Sequence, residues 1–404
     1  MKKQRIPRFI DTTLRDGEQA PGVVFSLNDK IQICQMLDQI GITEVELGIP
    51  AMGKQEIEEL KTLNNQGFGF VTSAWSRAIL PDIRKAALSG CDGIHISFPV
   101  SPILLQSMGK DTNWVLSQLK EIIPVALNHF SFVTVGAQDA SRAELPFLLN
   151  FIGEVNNLGV HRIRIADTVG VLTPFTTQQL FSDIYTIYPD IWLEFHAHND
   201  LSLANANVLS AFRQGVECFS VTINGLGERA GNAAFEEVVM AFEMGEKINC
   251  ELDTTLFYEL SQKTGEIANR PVHLSKPITG GLALAHESGI HTNAIIRNRQ
   301  SYQLISARQI GREEIPFIFG KHSGRNSLIH FFSHLNLELS DNLINDILKE
   351  IKHQASEKKS ALSEIEIMDI YNMLLHEKTS DLTSNPVVLM RTTLNEIEEN
   401  WDKR

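Results

Sequence analysis

Two histidines separated by a single residue, His196 and His198, form the pair in the sequence best suited to binding a metal ion. They lie at the end of an apolar run, and alternation along a strand would place both imidazoles on one face. With the carboxylate of Asp16 from another strand end, they make a ligand set that suits a divalent cation. Such a set leaves positions open for water and substrate, so it predicts a catalytic metal site. The alternative is two histidines that only satisfy hydrogen bonds at a strand end.

A glycine-rich segment, residues 224–232, follows the last apolar run of this part of the chain. Its three glycines would let the backbone approach a ligand closely, and this end of a parallel barrel often binds phosphate groups. Its last residue also offers a neutral amide oxygen that would complete the coordination of the metal. The alternative is a flexible loop without a ligand. The residues singled out here are Gly225, Gly227, Glu228, Gly231 and Asn232.

Two further segments, 286–291 and 320–325, hold histidines among small residues. An unperturbed imidazole titrates near pH ~6.5, so these histidines would suit general acid or base catalysis. A purely structural role is the alternative for each of them.

The elements that must position these residues recur with a regular period. Short apolar runs rich in β-branched residues alternate with amphipathic, helix-like segments, a pattern typical of βαβ units. One such segment is Leu27–Ile40 behind the capping candidate Ser26, and another is Asp111–Ile123. The eight runs span residues 9–10, 44–49, 68–74, 93–98, 130–135, 161–166, 192–196 and 218–223.

Eight repeats, with no GxGxxG after any run, favour a closed barrel over an open doubly wound sheet. We therefore predict an α/β fold, a (β/α)8 TIM barrel followed by a smaller, mainly helical C-terminal region. The expected division is a catalytic barrel over residues 1–250, a linker over 251–325 and a helical subdomain over 326–404.

The composition limits the classes of protein that this chain can belong to. No apolar run reaches the ~18 residues of a membrane span, and the basic N-terminus lacks an apolar signal region, so we expect a cytoplasmic protein without a membrane partner. A net charge of −13 disfavours binding to nucleic acid and favours small-molecule partners. Four scattered cysteines without CxxC spacing argue against a disulfide framework.

Four motifs together resemble the 2-isopropylmalate synthase and homocitrate synthase family, which are acetyl-CoA-dependent TIM-barrel condensing enzymes. They are Asp-Thr-Thr-Leu-Arg-Asp-Gly-Glu-Gln at 11–19, His-Ala-His-Asn-Asp at 196–200, Asn-Gly-Leu-Gly-Glu-Arg-Ala-Gly-Asn at 224–232 and Gly-Lys-His-Ser-Gly at 320–324. The resemblance covers about residues 8–330. Segments 48–53, 74–77 and 98–101 are most similar to the homocitrate synthases associated with nitrogenase cofactor synthesis.

The resemblance implies a divalent metal ion, zinc, manganese or magnesium, and acetyl-CoA as co-substrate. The implied metal ligands are Asp16, His196, His198 and Asn232. Arg15 would hold the oxo acid and stabilise charge on its carbonyl oxygen, and Thr168 would bond the substrate carboxylate. The glycine-rich segment would border acetyl-CoA.

A shared active site is also implied. In this family a histidine and a tyrosine of the partner subunit lie near the acetyl group, and His291 and Tyr302 are similar to those positions. The resemblance therefore predicts a homodimer in which the 251–325 region serves as a lid over the partner's site.

Two positions depart from the family pattern. Gln138 precedes the Asp-Ala-Ser-Arg motif where the family usually has glutamate, and an amide cannot accept a proton as a carboxylate does. Asn293 replaces the usual acidic residue two positions after His291. A barrel that binds a metal without catalysis is therefore kept as a hypothesis from another class.

The side chain of the oxo acid decides the product. A 2-oxoglutarate substrate, which would give homocitrate, carries a distal carboxylate that needs a cation, and Arg77 is the candidate. The basic residue of lysine-pathway homocitrate synthases is replaced here by Thr134. The alternatives are 2-isopropylmalate synthesis from 2-oxoisovalerate, citramalate synthesis from pyruvate, and a lyase that runs a retro-aldol cleavage.

Overall fold

The structure is a computed structural model that describes residues 5–313 and 317–384 of the 404-residue chain, with side chains to residue 376. The part of the expected helical subdomain beyond residue 384, and residues 314–316 of the expected linker, lie outside the described residues.

Eight parallel strands close into a barrel in the described part of the chain, which confirms the predicted fold class. Each strand pairs with the next, and the first pairs with the last, so that Phe9 lies opposite Phe219. The strands are β1 (Arg8–Asp11), β2 (Glu44–Gly48), β3 (Val71–Arg77), β4 (Gly93–Pro99), β5 (Phe132–Gln138), β6 (Arg162–Asp167), β7 (Leu193–Ala197) and β8 (Cys218–Val221).

Helices alternate with the strands and then follow them. Those that alternate with or follow the barrel strands are α1 (Leu27–Ile40), α2 (Lys54–Asn64), α3 (Leu80–Ala86), α4 (Pro102–Ser107), α5 (Thr112–His129), α6 (Leu145–Asn157), α7 (Pro174–Ile187), α8 (Ala204–Gln214), α9 (Phe235–Met240) and α10 (Phe257–Ile267). The later ones are α11 (Gly289–Arg297), α12 (Arg325–His334), α13 (Asp341–Lys358) and α14 (Glu364–Ser384).

The predicted helix ends agree with the structure where a capping side chain marks them. Ser26 begins α1 with a capping box, because its hydroxyl accepts from the backbone N–H of Asp29 while the Asp29 carboxylate accepts from that of Ser26. Asp111 caps the N-terminus of α5, where its carboxylate accepts from the backbone N–H of Trp114. This helix runs six residues past its predicted end, through Pro124, because the burial of its apolar face outweighs the lost backbone hydrogen bond.

Several strands begin or end later than the apolar runs predict. Strand β3 spans residues 71–77 instead of 68–74, and β5 spans 132–138 instead of 130–135. Their ends lie later because polar residues continue both strands beyond the apolar runs, as Ser76 does in β3 and Gln138 does in β5. An apolar pattern therefore stops before the strand does.

The described residues form two compact units, which we treat separately. The first contains the chain up to Ala283 together with Arg308–Arg312, and the second contains Leu284–Ala307 and the residues from Glu313 onward. The expected boundaries at 250 and 325 differ from this division, since α10 belongs to the first unit and α11 to the second. The lid role assigned to 251–325 stays a prediction.

The two units have different interiors. Apolar side chains fill the space between strands and helices of the first unit, whereas the inside of the barrel contains buried charged residues such as Glu46 and Glu194. The second unit has an apolar core around Phe332 and Ile347. Among the described residues, no helix has the length and apolar character that a membrane crossing requires.

Candidate active site

The turn after β1 places the first two site residues. The Asp11 carboxylate accepts hydrogen bonds from the Thr13 backbone N–H (3.0 Å) and hydroxyl (2.9 Å). The Thr13 hydroxyl accepts in turn from the backbone N–H of Ile223 after β8 (2.8 Å). This network ties the turn to the neighbouring strand, and it directs Arg15 and Asp16 into the mouth of the barrel.

Buried Lys30 forms ion pairs next to the same turn. Its ammonium group lies 3.1–3.4 Å from carboxylate oxygens of Glu18, Glu56 and Glu59. The Glu56 carboxylate also accepts from the backbone N–H of Ile49 after β2 (3.1 Å). The lysine is only 2% exposed, and this cluster links the segment after β1 to α2 through partly buried ion pairs.

The predicted metal ligands Asp16, His196 and His198 come together. Oδ2 of Asp16 lies 3.5 Å from Nε2 of His196 and 3.8 Å from Nε2 of His198, and the two Nε2 atoms are 3.2 Å apart. All three side chains are buried. The residues are ones that could hold a metal ion, as the alternation along β7 predicts.

The electrostatics of these residues fits a cation. Burial lowers the pKa of His196 to about 3, although Asp16 opposes this, so its imidazole is neutral near pH 7. Burial raises the pKa of Asp16, but Arg15 and the two histidines outweigh it and hold the pKa well below its usual range. Burial lowers the pKa of His198 as well. A carboxylate and two neutral imidazoles therefore face one another, and such electron-pair donors are the groups that bind divalent ions.

Asn232 is near this group but presents its nitrogen. Its Nδ2 donates to Oδ2 of Asp16 (2.7 Å) and to the backbone oxygen of Leu226 (2.8 Å). Its buried Oδ1 has no hydrogen-bond partner among the described residues. Coordination through this oxygen, as predicted, requires the amide to turn over, and the role stays a prediction.

The glycine-rich segment is tightly folded rather than open. Gly227 and Gly231 have φ of +157° and +85°, a region that favours glycine. A Cβ at Gly231 would lie 1.9 Å from the backbone oxygen of Gly225, so a side chain cannot fit there. The fold of this loop positions Asn232 beside Asp16. The acetyl-CoA contacts of Gly225, Gly227, Glu228 and Gly231 stay a prediction.

A line of alternating charges runs through the barrel, and we call it the charge ladder. Its members, in order of contact, are Glu44, Arg162, Glu194, Arg164, Glu46, Arg15 and Asp16. Arg15 donates through Nε to Glu46 and through Nη1 to Asp16 (2.7 Å). Because both nitrogens are fixed, the guanidinium is held beside the metal-ligand group.

Gln138 ends β5 and Thr168 follows β6 at the mouth of the barrel. The Thr168 hydroxyl oxygen accepts from the backbone N–H of Asp139 (2.8 Å), which leaves its own O–H free to donate to a ligand. Asp139 is itself fixed by Ser101 and Arg142, and it adopts φ of +63° at the end of β5.

These side chains surround one cavity of about 290 Å³. This volume lies at the small end of the range for ligand pockets and suits a small acid. The lining residues are Arg15, Asp16, Gln19, Trp75, His95, Ser97, Gly136, Gln138, Arg164, Ala166, Thr168, His196, His198, Glu228 and Arg229. Five predicted site residues from distant parts of the chain, Arg15, Asp16, Gln138, Thr168 and Glu228, therefore share this cavity with the two histidines.

Other predicted residues lie elsewhere. Arg77 does not line the cavity, because its side chain is 61% exposed and pairs with Asp82 (2.6 Å). His291 and Tyr302 belong to the second unit, where their rings stack with centroids 4.0 Å apart. Asn293 accepts a hydrogen bond from Asn326 (2.6 Å).

The sequence reasoning missed several residues of the barrel interior, of which Arg164, His95 and Ser97 line the cavity. Arg162 and Arg164 alternate with isoleucines along β6, and this period of two indicates that both point to one face of the strand. His95 and Ser97 alternate in the same way along β4. This alternation is visible in the sequence, but charged residues were not expected inside a buried strand.

Comparisons with known proteins agree with this geometry and confirm the resemblance. The family described as HMGL-like matches residues 6–263, and the one described as "Homocitrate synthase post-HMGL domain-like" matches residues 278–359. The 2-isopropylmalate synthase 2 of Caldanaerobacter subterraneus subsp. tengcongensis is 39% identical over 92% of this chain and 96% of its own length. Homocitrate synthase 1 of Nostoc sp. is 38% identical over 89% of this chain and 95% of its own length.

A solved structure supports the fold alone. The Bacillus subtilis HMG-CoA lyase has a TM-score of 0.61 at 18% identity, covering 67% of this chain and 96% of the lyase. The family match and the two relatives carry the stronger statement. The chain therefore belongs to the HMGL-like family, and within it to the acyl-transferring, condensing enzymes.

Proposed function

We propose that this enzyme joins the acetyl group of acetyl-CoA to the carbonyl carbon of 2-oxoglutarate in a divalent-metal-dependent reaction that gives homocitrate. The carbon–carbon bond forms between the acetyl methyl carbon and the oxo carbon, and hydrolysis of the thioester then releases CoA. The observation that carries the proposal is the convergence of Asp16, two neutral histidines and the Arg15 guanidinium on one small cavity.

The addition places negative charge on the carbonyl oxygen of the oxo acid. A bound divalent ion, held by Asp16, His196 and His198, would act there as a Lewis acid. Arg15 adds a fixed positive charge at the same wall, and its orientation costs nothing during the reaction because Glu46 and Asp16 already hold it. Zinc, manganese and magnesium all suit this mixed set of nitrogen and oxygen ligands.

Thr168 would bind the carboxylate next to the oxo group. Its hydroxyl proton is available, since the oxygen already accepts from Asp139, and the residue lines the same cavity as Arg15. Two donors from different strand ends would orient the oxo acid so that one face of its carbonyl meets the acetyl group. The glycine-rich segment would border the CoA portion.

Removal of a proton from the acetyl methyl group requires a base. His291 and Tyr302, stacked in the second unit, would be supplied by a second copy of the chain, which makes a homodimer part of the proposal. Gln138 lines the cavity but cannot serve as this base, because an amide does not accept a proton at neutral pH. A cytoplasmic location completes the proposal, supported by four buried, unpaired cysteines.

The polar wall of the cavity favours 2-oxoglutarate over a branched apolar oxo acid. His95, Ser97 and Arg164 line it, whereas an isopropyl side chain would be bound by apolar residues. Synthesis of 2-isopropylmalate or citramalate is the alternative within the family.

The test is release of CoA thiol from acetyl-CoA by the manganese-loaded protein, with 2-oxoglutarate, 2-oxoisovalerate and pyruvate compared side by side. We expect activity with 2-oxoglutarate that exceeds activity with the other two acids. Preference for 2-oxoisovalerate would instead assign the enzyme to 2-isopropylmalate synthesis, and preference for pyruvate would assign it to citramalate synthesis. No release with any of the three would support a barrel that binds a metal without catalysis.

A further inference from the structure

One guanidinium of the charge ladder has an unused donor. Nε of Arg164 donates to Glu194 (2.6 Å) and Nη2 donates to Glu46 (2.9 Å). Nη1 is buried and has no hydrogen-bond partner among the described residues. A buried charged donor without a partner is costly, so its persistence points to a ligand group that satisfies it.

Arg164 lines the cavity together with residues of the two preceding strands. In the sheet register Gly136 of β5 lies opposite Arg164, and Ser97 of β4 lies opposite Gly136. Gly136 has no side chain, and the His95 imidazole packs over it, since an added Cβ would come 2.6 Å from Nε2 of His95. All four residues line the cavity, so a ligand in it can reach this row.

The charges of the wall favour an anion once the metal is bound. The ladder contains three arginines and four carboxylates, one net negative charge that a divalent cation reverses to one positive. Burial lowers the pKa of His95 well below its usual range, so this imidazole is neutral and adds no charge. Nδ1 of His95 lies 2.8 Å from the Thr134 hydroxyl, so Nε2 is the ring nitrogen that does not contact Thr134.

We propose that Arg164 is the specificity residue of this cavity, and that its Nη1 donates to the distal carboxylate of a dicarboxylic 2-oxo acid in the row formed with Gly136 and Ser97. This inference rests on the proposed condensation and deepens it by assigning the substrate class. It replaces Arg77 in that role, since the Arg77 guanidinium is already paired with Asp82 outside the cavity.

Binding of paired ligands tests the assignment without the reaction. Calorimetry on the manganese-loaded, 404-residue protein, with no acetyl-CoA, compares 2-oxoglutarate with 5-methyl-2-oxohexanoate, which keeps the 2-oxo acid group and replaces the distal carboxylate by an isopropyl group of similar shape. A hydrogen bond to a charged group predicts a Kd about 10- to 100-fold lower for 2-oxoglutarate. Equal Kd values for the two acids would overturn the proposal.

Three variants identify the residue responsible. Arg164→Lys keeps a positive charge but loses the planar guanidinium with its several donors. We therefore expect the preference for 2-oxoglutarate over 5-methyl-2-oxohexanoate to fall at least about tenfold. Arg162→Lys is the matched control, because Arg162 is also buried in the ladder on β6 but does not line the cavity. Its preference should equal that of the wild type, and so should that of Arg77→Ala.

The preference is a ratio measured within one variant, so a change in the folded fraction does not alter it. If Arg164→Lys does not fold, Arg164→Gln takes its place. Retention of the wild-type preference in the Arg164 variant, or its loss in R77A, would overturn the assignment. Arg164-dependent binding of 2-oxoglutarate without release of CoA thiol would contradict the proposed condensation while supporting the site. Condensation of 2-oxoisovalerate alone would support the reaction and overturn the site.

Discussion

The inside of the barrel and the core of the second unit are buried to a similar degree, yet different forces hold them together. Members of the charge ladder such as Glu194 and Glu46 are fully buried, and each contacts two arginines. In the second unit, Ile347, Ile351 and Phe332 are equally buried among apolar side chains. One interior depends on charge pairing, and the other depends on packing.

The difference shows where the chain accepts a cost in stability. Burying charges requires their desolvation, and well-packed apolar residues would often be as stable or more stable. The ladder ends at Arg15 and Asp16, beside the two histidines, and it passes through Arg164 in the cavity wall. Stability is therefore lowered in the interior that presents donors to a ligand, and the apolar core carries no such demand.

The largest expected effect comes from the end of the ladder. Asp16→Asn removes the anionic ligand of the metal-binding group, so we expect a loss of bound metal and a fall in condensation of about 10³-fold or more. Metal analysis of the purified protein and release of CoA thiol measure the two effects. Glu58→Gln, on the exposed surface of α2, is the control and should match the wild type. Full metal content in D16N would remove Asp16 from the ligand set.

The next effect tests the ladder itself and has a pH dependence. Burial raises the pKa of Glu194, but Arg164 and Arg162 outweigh this and lower it from 4.5 to about 2. A lowered pKa stabilises the folded state above pH ~4.5, and this contribution is lost as the pH falls towards ~2. Glu194→Gln should therefore lower the free energy of unfolding by about 3 kcal/mol at pH 7.

Urea denaturation at pH 7 and at pH 3 measures this difference. The gap between the wild type and E194Q should be smaller at pH 3, where the wild-type carboxylate loses part of its advantage. An equal difference in the free energy of unfolding at pH 7 and at pH 3 would show that charge pairing does not stabilise the barrel interior.

A smaller effect is expected at the mouth of the barrel. Gln138→Glu places a carboxylate in the cavity, where the family usually has one, and a positioned base contributes about 10²-fold or more. We expect kcat to rise by about 10- to 100-fold, because part of that contribution is already made by another base. The rate should also acquire a limb that falls at acidic pH. An unchanged rate and pH profile would mean that proton transfer does not involve this position.

The smallest effect concerns the apolar core. Ile347→Val removes one buried methylene from the second unit and should cost about 1 kcal/mol of stability. The ratio of activities with 2-oxoglutarate and 2-oxoisovalerate should stay at the wild-type value. A changed ratio would show that packing in this unit affects the choice of oxo acid.

Much of this architecture follows from the sequence. The alternation of apolar runs and amphipathic segments predicts eight strands in a closed barrel, and the position of Asp16, His196 and His198 at strand ends predicts their convergence. Strand ends were less predictable, since polar residues such as Ser76 continue a strand beyond its apolar run.

The charge ladder was not predicted, because its residues pair across strands that are distant in the sequence. Arg162 and Glu44 are 118 positions apart, and so are Arg164 and Glu46. Nothing local in β2 or β6 identifies the partner of each charge. Arg77 lies outside the cavity for a different reason, since its guanidinium pairs with Asp82 in α3, only five positions along the chain.

The measurement that tests the central claim most directly is identification of the product formed from acetyl-CoA labelled with ¹³C at both acetyl carbons. Mass spectrometry of the reaction with 2-oxoglutarate should find both labelled carbons in homocitrate, in amounts equal to the CoA thiol released, and D16N should yield almost none. Labelled acetate alone would show hydrolysis of the thioester without a new carbon–carbon bond, and it would contradict the assignment of this cavity to a condensation.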